Sequence, residues 1–222
     1  MNARQASCSA LAVPLQQRRK SSSRELLLVA AAELFCAAGY FAVSVEDIAT
    51  AAGVSRMTFY RHFSGKPALA LDLFRQNVAV TMPRLVSIAA SDYRDHATVA
   101  KWIGSVFEAD RASGQLLRVF IQANVEESDF SRDAQQLLGS LISELGRFIP
   151  AFVLDPAAPS DRRQWLEAWL LLYEILDQSN HAARGAGVAA DPLVIEILAD
   201  RFVRFVEAKS FQARSLREVM DQ

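Results

Sequence analysis

The stretch that decides the fold is residues 44–66, which read SVEDIATAAGVSRMTFYRHFSGK. Ser44 followed by Asp47 is a start resembling a capping box for a short helix, and this helix stops at Gly53. Ser55 then caps a second short helix only two residues later. Two short helices joined by a tight turn that contains glycine are typical of a helix-turn-helix, whose second helix has the size of the DNA major groove.

The composition of the second helix favours nucleic acid as its partner. Phe59 and Phe63, four residues apart, point together toward a core. The other side chains then face outward, and they are Arg56, Met57, Thr58, Tyr60, Arg61 and His62. A face with two arginines, a tyrosine, a threonine and a histidine suits base edges and phosphates.

The remainder of the chain predicts an all-α fold. Apolar residues recur at helical spacing, and no β-branched run of period two occurs. Ser22 or Ser23 caps the first helix, and Gly39 lies where a left-handed residue ends it. Beyond residues 44–62, helices are predicted at about residues 24–38, 66–85, 97–112, 115–124, 129–148, 162–183 and 192–211. We expect a flexible basic arm over 1–21, a helix-turn-helix DNA-binding domain over 22–66, and a helical effector-binding and dimerisation domain over 67–222.

Composition and charge exclude several classes of protein. With 222 residues, 51% of them hydrophobic and only two cysteines, the chain is neither collagenous, nor disordered, nor a disulfide scaffold. It has no apolar run long enough to span a membrane and no charge order typical of a secretory signal, so we expect a cytoplasmic protein. Residues 1–80 carry 9 Lys and Arg against 5 Asp and Glu, whereas residues 81–222 carry 15 against 20. The positive end is the candidate for binding a polyanion.

Several motifs at fixed spacing resemble the DNA-binding domain of the tetracycline-repressor (TetR) family of bacterial regulators. The motifs are GY at 39–40, VEDIA at 45–49, AGVS at 52–55, TFYRHF at 58–63, GK at 65–66 and Leu69. The resemblance covers about residues 24–74. The remaining two thirds is similar to the family only in length and helical pattern.

The resemblance implies roles for individual residues. It places Ser44 and Lys66 on phosphates, Tyr60 and His62 on the sugar-phosphate backbone, and three residues near base edges. Those three are Arg56, Met57 and Thr58; Ser55 and Arg61 complete the predicted DNA-binding set. The chain departs from the family pattern at Met57, where glycine or another small residue is usual, as well as at Val43 and Pro67.

Each of these roles has a structural alternative. Tyr60 can simply cover the small core, and His62 can be a structural histidine bonded to a backbone group. Thr58 and Arg61 can be ordinary exposed residues of a short helix. Arg18, Arg19 and Lys20 are either solvated charges or an arm that enters a minor groove.

The C-terminal helices point to two further partners. The last two helices are apolar over more than one stripe, which predicts a homodimer, with a wider intramolecular core as the alternative. By resemblance the same domain contains a pocket for a small effector. Because no basic cluster occurs in this region, we expect a largely hydrophobic molecule that is neutral or cationic. Bulky candidates for its pocket are Trp102, Phe107, Phe120, Trp169 and Tyr173, and polar candidates are Gln122, Asn124 and Gln178. The same residues also suit an ordinary helical core.

No motif predicts catalysis. The sequence has no metalloprotease, nucleophile-elbow or phosphate-loop spacing, and His96 and His181 are isolated. Asp92 and Asp95 near His96 fit a charged loop or helix cap better than a metal site. We therefore expect a dimeric, ligand-responsive transcriptional regulator that acts as a repressor. It is expected to bind a palindromic operator and to use no cofactor or metal. A helical ligand-binding or interaction module without operator recognition and a small-molecule enzyme are the alternatives.

Overall fold

The computed structural model describes residues 22–112, 119, 120, 122, 123, 128–183, 185 and 187–220. Among these residues the chain forms α-helices, turns and short 3-10 helices, and no strand occurs. The α-helices are α1 (Ser23–Ala38), α2 (Val45–Ala51), α3 (Arg56–His62), α4 (Lys66–Val86), α5 (His96–Ala112), α6 (Ser128–Gly146), α7 (Arg162–Ala183) and α8 (Leu193–Met220). The predicted all-α fold is confirmed.

Most predicted helix boundaries lie within two residues of the observed ones. The exception is the end of α8, which continues to Met220 instead of stopping near residue 211. Residues 211–220 contain neither glycine nor proline, so nothing in this stretch ends the helix. The predicted helix over 115–124 lies mainly outside the described residues, although 119, 120, 122 and 123 are helical. The predicted arm over 1–21 and the candidate Asn124 also lie outside them.

The chain divides into two compact units that are not contiguous in sequence. The first unit comprises Met1–Val80 and Ala112–Ala134, and the second comprises Thr81–Arg111 and Gln135–Gln222. The first unit therefore extends past residue 66 and takes in a later segment. The division of functions between 22–66 and 67–222 stays a prediction.

The core of the first unit is rich in aromatic side chains. Phe35, Tyr40 and Phe59 are fully buried, and Phe63 packs against Phe59 with the ring centroids 5.8 Å apart. The first half of α4 adds apolar residues to this core, and the segment between α5 and α6 adds Val119, Phe120 and Ala123. Cys36 packs at the edge of the same core. The core of the N-terminal helices thus includes residues from 119–123, which are distant from these helices in sequence.

The second unit has a larger apolar core. It is built from α5, the end of α4, most of α6, and helices α7 and α8. Phe152 lies between the helices α6 and α7, and its ring packs against Phe202 and Phe205 of α8 with centroids 5.9 and 4.9 Å away. Trp102 packs on Phe202 as well, and its indole N–H donates to the carbonyl of Arg84.

Helix α4 carries the chain from the first unit into the second. Its exposed Pro83 lies three residues beyond Val80, the last residue of the first unit's initial segment. Proline has no backbone N–H, so the helix lacks the hydrogen bond that residue 83 would donate to the carbonyl of residue 79. The helix is therefore weakened close to the point where the chain changes unit.

Candidate nucleic-acid interface

The turn between α2 and α3 is held by backbone hydrogen bonds and one glycine. Val54 N–H donates to the carbonyl of Ala49 and Gly53 N–H to that of Thr50, both at 3.0 Å, which is the Schellman pattern of a helix end. Gly53 has a φ of +68°, a conformation that costs any other residue about 1 kcal/mol or more. The turn is thus fixed by residues within the 44–66 stretch.

Serine caps set the start of both helices. Ser44 Oγ accepts from Asp47 N–H at 3.1 Å and Asp47 accepts from Ser44 N–H at 2.9 Å, so the predicted capping box is present. The Ser44 hydroxyl also donates to Asp47, and this bond above all lowers the pKa of the Asp47 carboxyl. Ser55 Oγ accepts from Thr58 N–H at 3.1 Å and lies 3.0 Å from Thr58 Oγ1. Ser44, Ser55 and Thr58 therefore stabilise the starts of the two helices through these hydrogen bonds. Ser44 and Ser55 are nevertheless exposed, and Thr58 is half-buried.

The inner face of α3 is anchored and its outer face is open. Phe59 is fully buried and Phe63, just after the helix, is 4% exposed. Arg56, Met57, Tyr60 and Arg61 are all exposed. The Arg56 guanidinium lies 5.6 Å from the centroid of the Tyr60 ring and 4.0 Å from the Glu46 carboxylate. The Tyr60 side chain, and to a lesser degree Glu46, raises the pKa of Arg56, which stays charged.

Two residues that were predicted to contact the DNA backbone, His62 and Lys66, already have partners inside the first unit. His62 Nε2 lies 2.9 Å from Ser23 Oγ and so joins the end of α3 to the start of α1. Lys66 Nζ donates to the Tyr40 carbonyl at 2.9 Å and lies 4.2 Å from the centroid of the Tyr40 ring. Both side chains are half-buried. His62, the last residue of α3, and Lys66, the first residue of α4, therefore each combine a structural role with a position at the end of the predicted interface.

Tyr40 lies at the centre of the turn between α1 and α2. Its N–H donates to Gln122 Oε1 at 3.1 Å, its carbonyl accepts from Lys66, and its ring is fully buried. Gly39 precedes it with φ +87° and ψ 156°, a region that is essentially restricted to glycine. The spacing of residues 39 and 40 from the helices predicted the turn, but not the bond to a residue 82 positions later.

The predicted effector residues are divided between the two units. Phe120 and Gln122 belong to the first unit, where Phe120 packs against Phe74 with the ring centroids 5.3 Å apart. The others belong to the second unit: Trp102 and Phe107 are buried in its core, Gln178 is half-buried, and Trp169 stacks on the exposed Tyr173. A surface pocket of about 330 Å³ between α7 and α8 is lined by different residues, Glu167, Leu170, Leu171, Arg201, Arg204 and Phe205.

Sequence reasoning missed one buried polar pair in the second unit. Ser179 is fully buried and its hydroxyl donates to Asp110 Oδ2 at 2.5 Å. Burial, above all, raises the pKa of Asp110, against the opposing effects of Ser179 and Arg84. The two residues lie 69 positions apart on α5 and α7, so no sequence motif could have found the pair.

The acidic residues near His96 serve as caps and ion pairs. Asp95 accepts from Thr98 N–H at 2.8 Å and from its hydroxyl at 2.6 Å, which lowers the pKa of Asp95 and caps α5. His96 Nε2 lies 3.3 Å from an oxygen of Asp200 on α8. In the part of the chain that the structure describes, no group of three metal-ligating side chains occurs. The same residues contain no helix long and apolar enough to cross a membrane.

A capped helix pair joined by a Schellman turn, with an anchored second helix and an open outer face, defines a helix-turn-helix protein. Residues 27–73 match the family model of bacterial regulatory proteins, tetR family. Residues 27–73 therefore form a DNA-binding domain of the tetR family type.

Individual relatives agree with this assignment. The chain is 32% identical over 101 residues to the HTH-type transcriptional repressor KstR2 of Rhodococcus jostii, which covers 46% of this chain and 50% of that protein. It is 46% identical over 57 residues to the HTH-type transcriptional regulator TcmR of Streptomyces glaucescens, which covers 26% of this chain and 25% of that protein. The matches thus span half or less of these relatives.

One solved structure shows how far the fold itself extends. The Thermus thermophilus TetR family repressor FadR, in complex with lauroyl-CoA, aligns with a TM-score of 0.58 at 23% identity. The alignment covers 83% of this chain and 93% of FadR. At this identity the likeness establishes the fold, and it does so well beyond the helix-turn-helix.

Proposed function

We propose that this protein is a ligand-responsive transcriptional regulator that acts as a repressor. It binds a palindromic DNA operator as a dimer. The observation that carries the proposal is the anchored inner face and open basic outer face of α3. Phe59 and Phe63 fix the helix, and the exposed Arg56 and Arg61 supply charge for a polyanion. The excess of positive charge in residues 1–80 supports the same partner.

The proposed contacts follow from the chemistry of each side chain. Arg56 and Thr58 approach base edges, where arginine binds guanine bidentately and threonine bonds a base or touches a thymine methyl. Tyr60, His62 and Lys66 hold the sugar-phosphate backbone. Ser44, Ser55 and Arg61 lie at the edges of the same surface and complete the interface.

Lys66, like His62, already has a partner inside the protein. Its ammonium already binds the Tyr40 carbonyl, so a phosphate must either share this cation or displace it. An ammonium has three donors, and sharing leaves the turn between α1 and α2 intact. We therefore infer that Lys66 binds phosphate while it holds Tyr40, which places the α1–α2 turn close to the DNA backbone.

The experiment selects operator fragments from the encoding genome with the full-length protein and measures affinity against salt concentration. Tyr60→Ala, His62→Ala and Lys66→Ala should weaken binding to every sequence, and Lys66→Ala should reduce the salt slope by about one. Arg56→Ala and Thr58→Ala should relax sequence preference. Lys101→Ala removes the same charge from an exposed position of α5 and should change neither property.

Weak binding that is indifferent to sequence would overturn the proposal and favour the interaction module that keeps the helix-turn-helix without operator recognition. Thermal unfolding of each variant is the control, because Lys66→Ala leaves the Tyr40 carbonyl without its donor and His62→Ala removes the contact with Ser23. A variant counts as a DNA-contact variant only when its loss of affinity exceeds the loss expected from the unfolded fraction.

Dimerisation is supported by an exposed apolar face on α7 and α8. Leu166, Leu170 and Tyr173 follow one side of α7 at intervals of four and three residues, and Leu193 and Ile197 are four residues apart on α8. Other apolar residues of both helices are buried in the second core, so each helix carries two apolar faces. A face of this kind outside the core is typical of a protein interface. We assign it to a second copy of the chain.

The effector is proposed to be a small, largely hydrophobic molecule that binds among the C-terminal helices. The aromatic candidates of the second unit, Trp102, Phe107, Trp169 and Tyr173, stay its predicted contacts, although Tyr173 also lies on the face assigned above to the dimer. FadR in complex with lauroyl-CoA supplies a second candidate class, a long acyl chain on a charged carrier. Neutral, cationic and acyl-CoA compounds are to be screened for thermal stabilisation, and operator affinity is then measured with each hit. Stabilising hits that leave operator affinity unchanged would remove support for an effector.

Catalysis has no part in this proposal, and a cytoplasmic location follows from it because the operator is DNA inside the bacterial cell. An enzyme remains the competing function for a ligand site among the helices. It is tested on the same hits: a chemical change in a bound compound during incubation with the protein would favour it.

A further inference from the structure

Met57 is the most exposed large apolar side chain in the described part of the chain, at 83%. It is the second residue of α3, and it belongs to neither of the two apolar cores. An apolar side chain gains nothing from water, and its long flexible stem loses entropy whenever it is ordered. On the outer face of α3 it is free of both apolar cores and accessible to a partner outside the chain.

Helix geometry places Met57 near the ridge of this outer face. Successive residues turn by about 100° around an α-helix, so Met57 lies about 160° away from the buried Phe59. Arg61 lies at the same angle on the other side. Arg56, Thr58 and Tyr60 lie nearer the flanks of the helix. Met57 and Arg61 thus project farthest from the protein, where a helix that enters a groove reaches deepest.

The neighbouring side chains have partners within the protein, and Met57 differs from them. Arg56 is held by Glu46 and Tyr60, and Thr58 Oγ1 lies 3.0 Å from Ser55 Oγ. The cations of Arg56 and Arg61 on either side of Met57 favour a polyanion over an apolar protein surface as the partner. The DNA major groove offers one apolar group at the base edges, which is the C5-methyl of thymine.

We propose that Met57 is a specificity-determining residue that recognises the C5-methyl group of a thymine in each operator half-site. The proposal rests on the proposed function, because it names the base feature that the same interface reads. Contact between the methionine thioether and the thymine methyl buries apolar surface on both partners. No hydrogen bond is needed, and cytosine is disfavoured because it lacks the methyl group.

The test replaces thymine by uracil, which removes only this methyl group and keeps the base pair. Each thymine of the selected operator is changed in turn, in both half-sites, and the affinities of the full-length protein and of Met57→Ala are measured on every duplex. At one thymine position, uracil should weaken binding of the unaltered protein by about fourfold per half-site, as expected for one buried carbon group. Met57→Ala should bind the thymine and uracil duplexes equally.

Two controls separate this contact from a general loss of apolar surface. Val80→Ala shortens another exposed apolar residue of the first unit and should keep the full uracil effect. Met57→Leu keeps an apolar side chain and should keep a preference for thymine at the same position. Since Met57 contributes to neither core, all three variants should unfold at the temperature of the unaltered protein, within error.

The outcomes distinguish this inference from the proposed function. Sequence-preferring binding in which no uracil substitution affects the unaltered protein more than Met57→Ala would overturn the inference alone. The inference alone also fails if Met57→Ala weakens binding equally on every DNA sequence. It fails likewise if the oxidation of Met57 is slowed by a protein partner and not by operator DNA. Absence of any sequence preference in the unaltered protein would overturn both the inference and the proposed function.

Discussion

At the scale of single residues, Asp110 ties the stability of the second unit to pH. Burial raises the pKa of its carboxyl, so the folded protein keeps this proton to a higher pH than the unfolded chain does. The free energy of unfolding should therefore fall as pH rises from the ordinary aspartate value of about 3.9 through the raised value, and stay constant above it. Asp110→Asn should abolish this slope, because the amide oxygen still accepts from Ser179 without carrying charge.

Urea unfolding between about pH 4 and 8, followed by tryptophan fluorescence, measures this effect from the ordinary aspartate pKa upward. All three tryptophans, at 102, 165 and 169, belong to the second unit, so the signal reports on that unit. Ser179→Ala should lower the free energy of unfolding by about 1–3 kcal/mol at pH 7.5, because it leaves a largely buried carboxylate without its donor. A slope that is identical in Asp110→Asn and the unaltered protein would contradict the assignment.

At the scale of elements, two glycines of α6 should respond oppositely to the same substitution. A Cβ at Gly146, the last residue of the helix, would lie 2.5 Å from the Phe152 carbonyl oxygen, so the Pro150–Phe152 turn packs directly on this position. A Cβ at Gly139 would meet nothing within 4 Å. Gly139→Ala should stabilise the second unit by about 1 kcal/mol, since alanine is the better helix former.

Gly146→Ala should instead destabilise it by about 1–3 kcal/mol, the usual cost of overpacking. The tryptophan signal in urea compares both variants with the unaltered protein. If Gly146→Ala proved as stable as Gly139→Ala, the close approach of the turn to α6 would be wrong.

At the scale of the whole molecule, the exposed faces of α7 and α8 should hold two chains together. Light scattering should give twice the chain mass of 24.5 kDa at micromolar concentration. Leu170→Glu or Ile197→Glu places a charge on the proposed interface and should yield monomers that bind the palindromic operator at least tenfold more weakly. Val153→Glu charges an exposed apolar residue of the loop between α6 and α7 and should stay dimeric.

A stable monomer of the unaltered protein would show that the apolar faces serve another purpose. A dimer that survives both charged variants would place the interface elsewhere. In either case the DNA experiments above still test the helix-turn-helix separately, since its fold is complete within one chain.

The local part of the fold could be predicted because its causes lie close together in sequence. Ser44 caps with Asp47, Ser55 caps with Thr58, and Gly53 ends α2, all through hydrogen bonds that span five positions or fewer. The anchoring of α3 could be predicted for the same reason, because Phe59 and Phe63 fall on one side of the helix. The predicted end of α8 was nine residues too early, because the stretch after residue 211 contains no glycine or proline that would end a helix.

The sequence by itself determined the all-α class, the helix-turn-helix and the residues of its outer face, because hydrogen bonds within a helix and at its caps join near neighbours. Only the tertiary structure decided that Gln122 holds Tyr40 and that Asp110 binds Ser179, since those partners lie 82 and 69 residues apart. It also decided that Lys66 contacts Tyr40 and that His62 contacts Ser23. Such contacts depend on how helices pack, and packing is set by the shapes of whole faces rather than by any short pattern of residues.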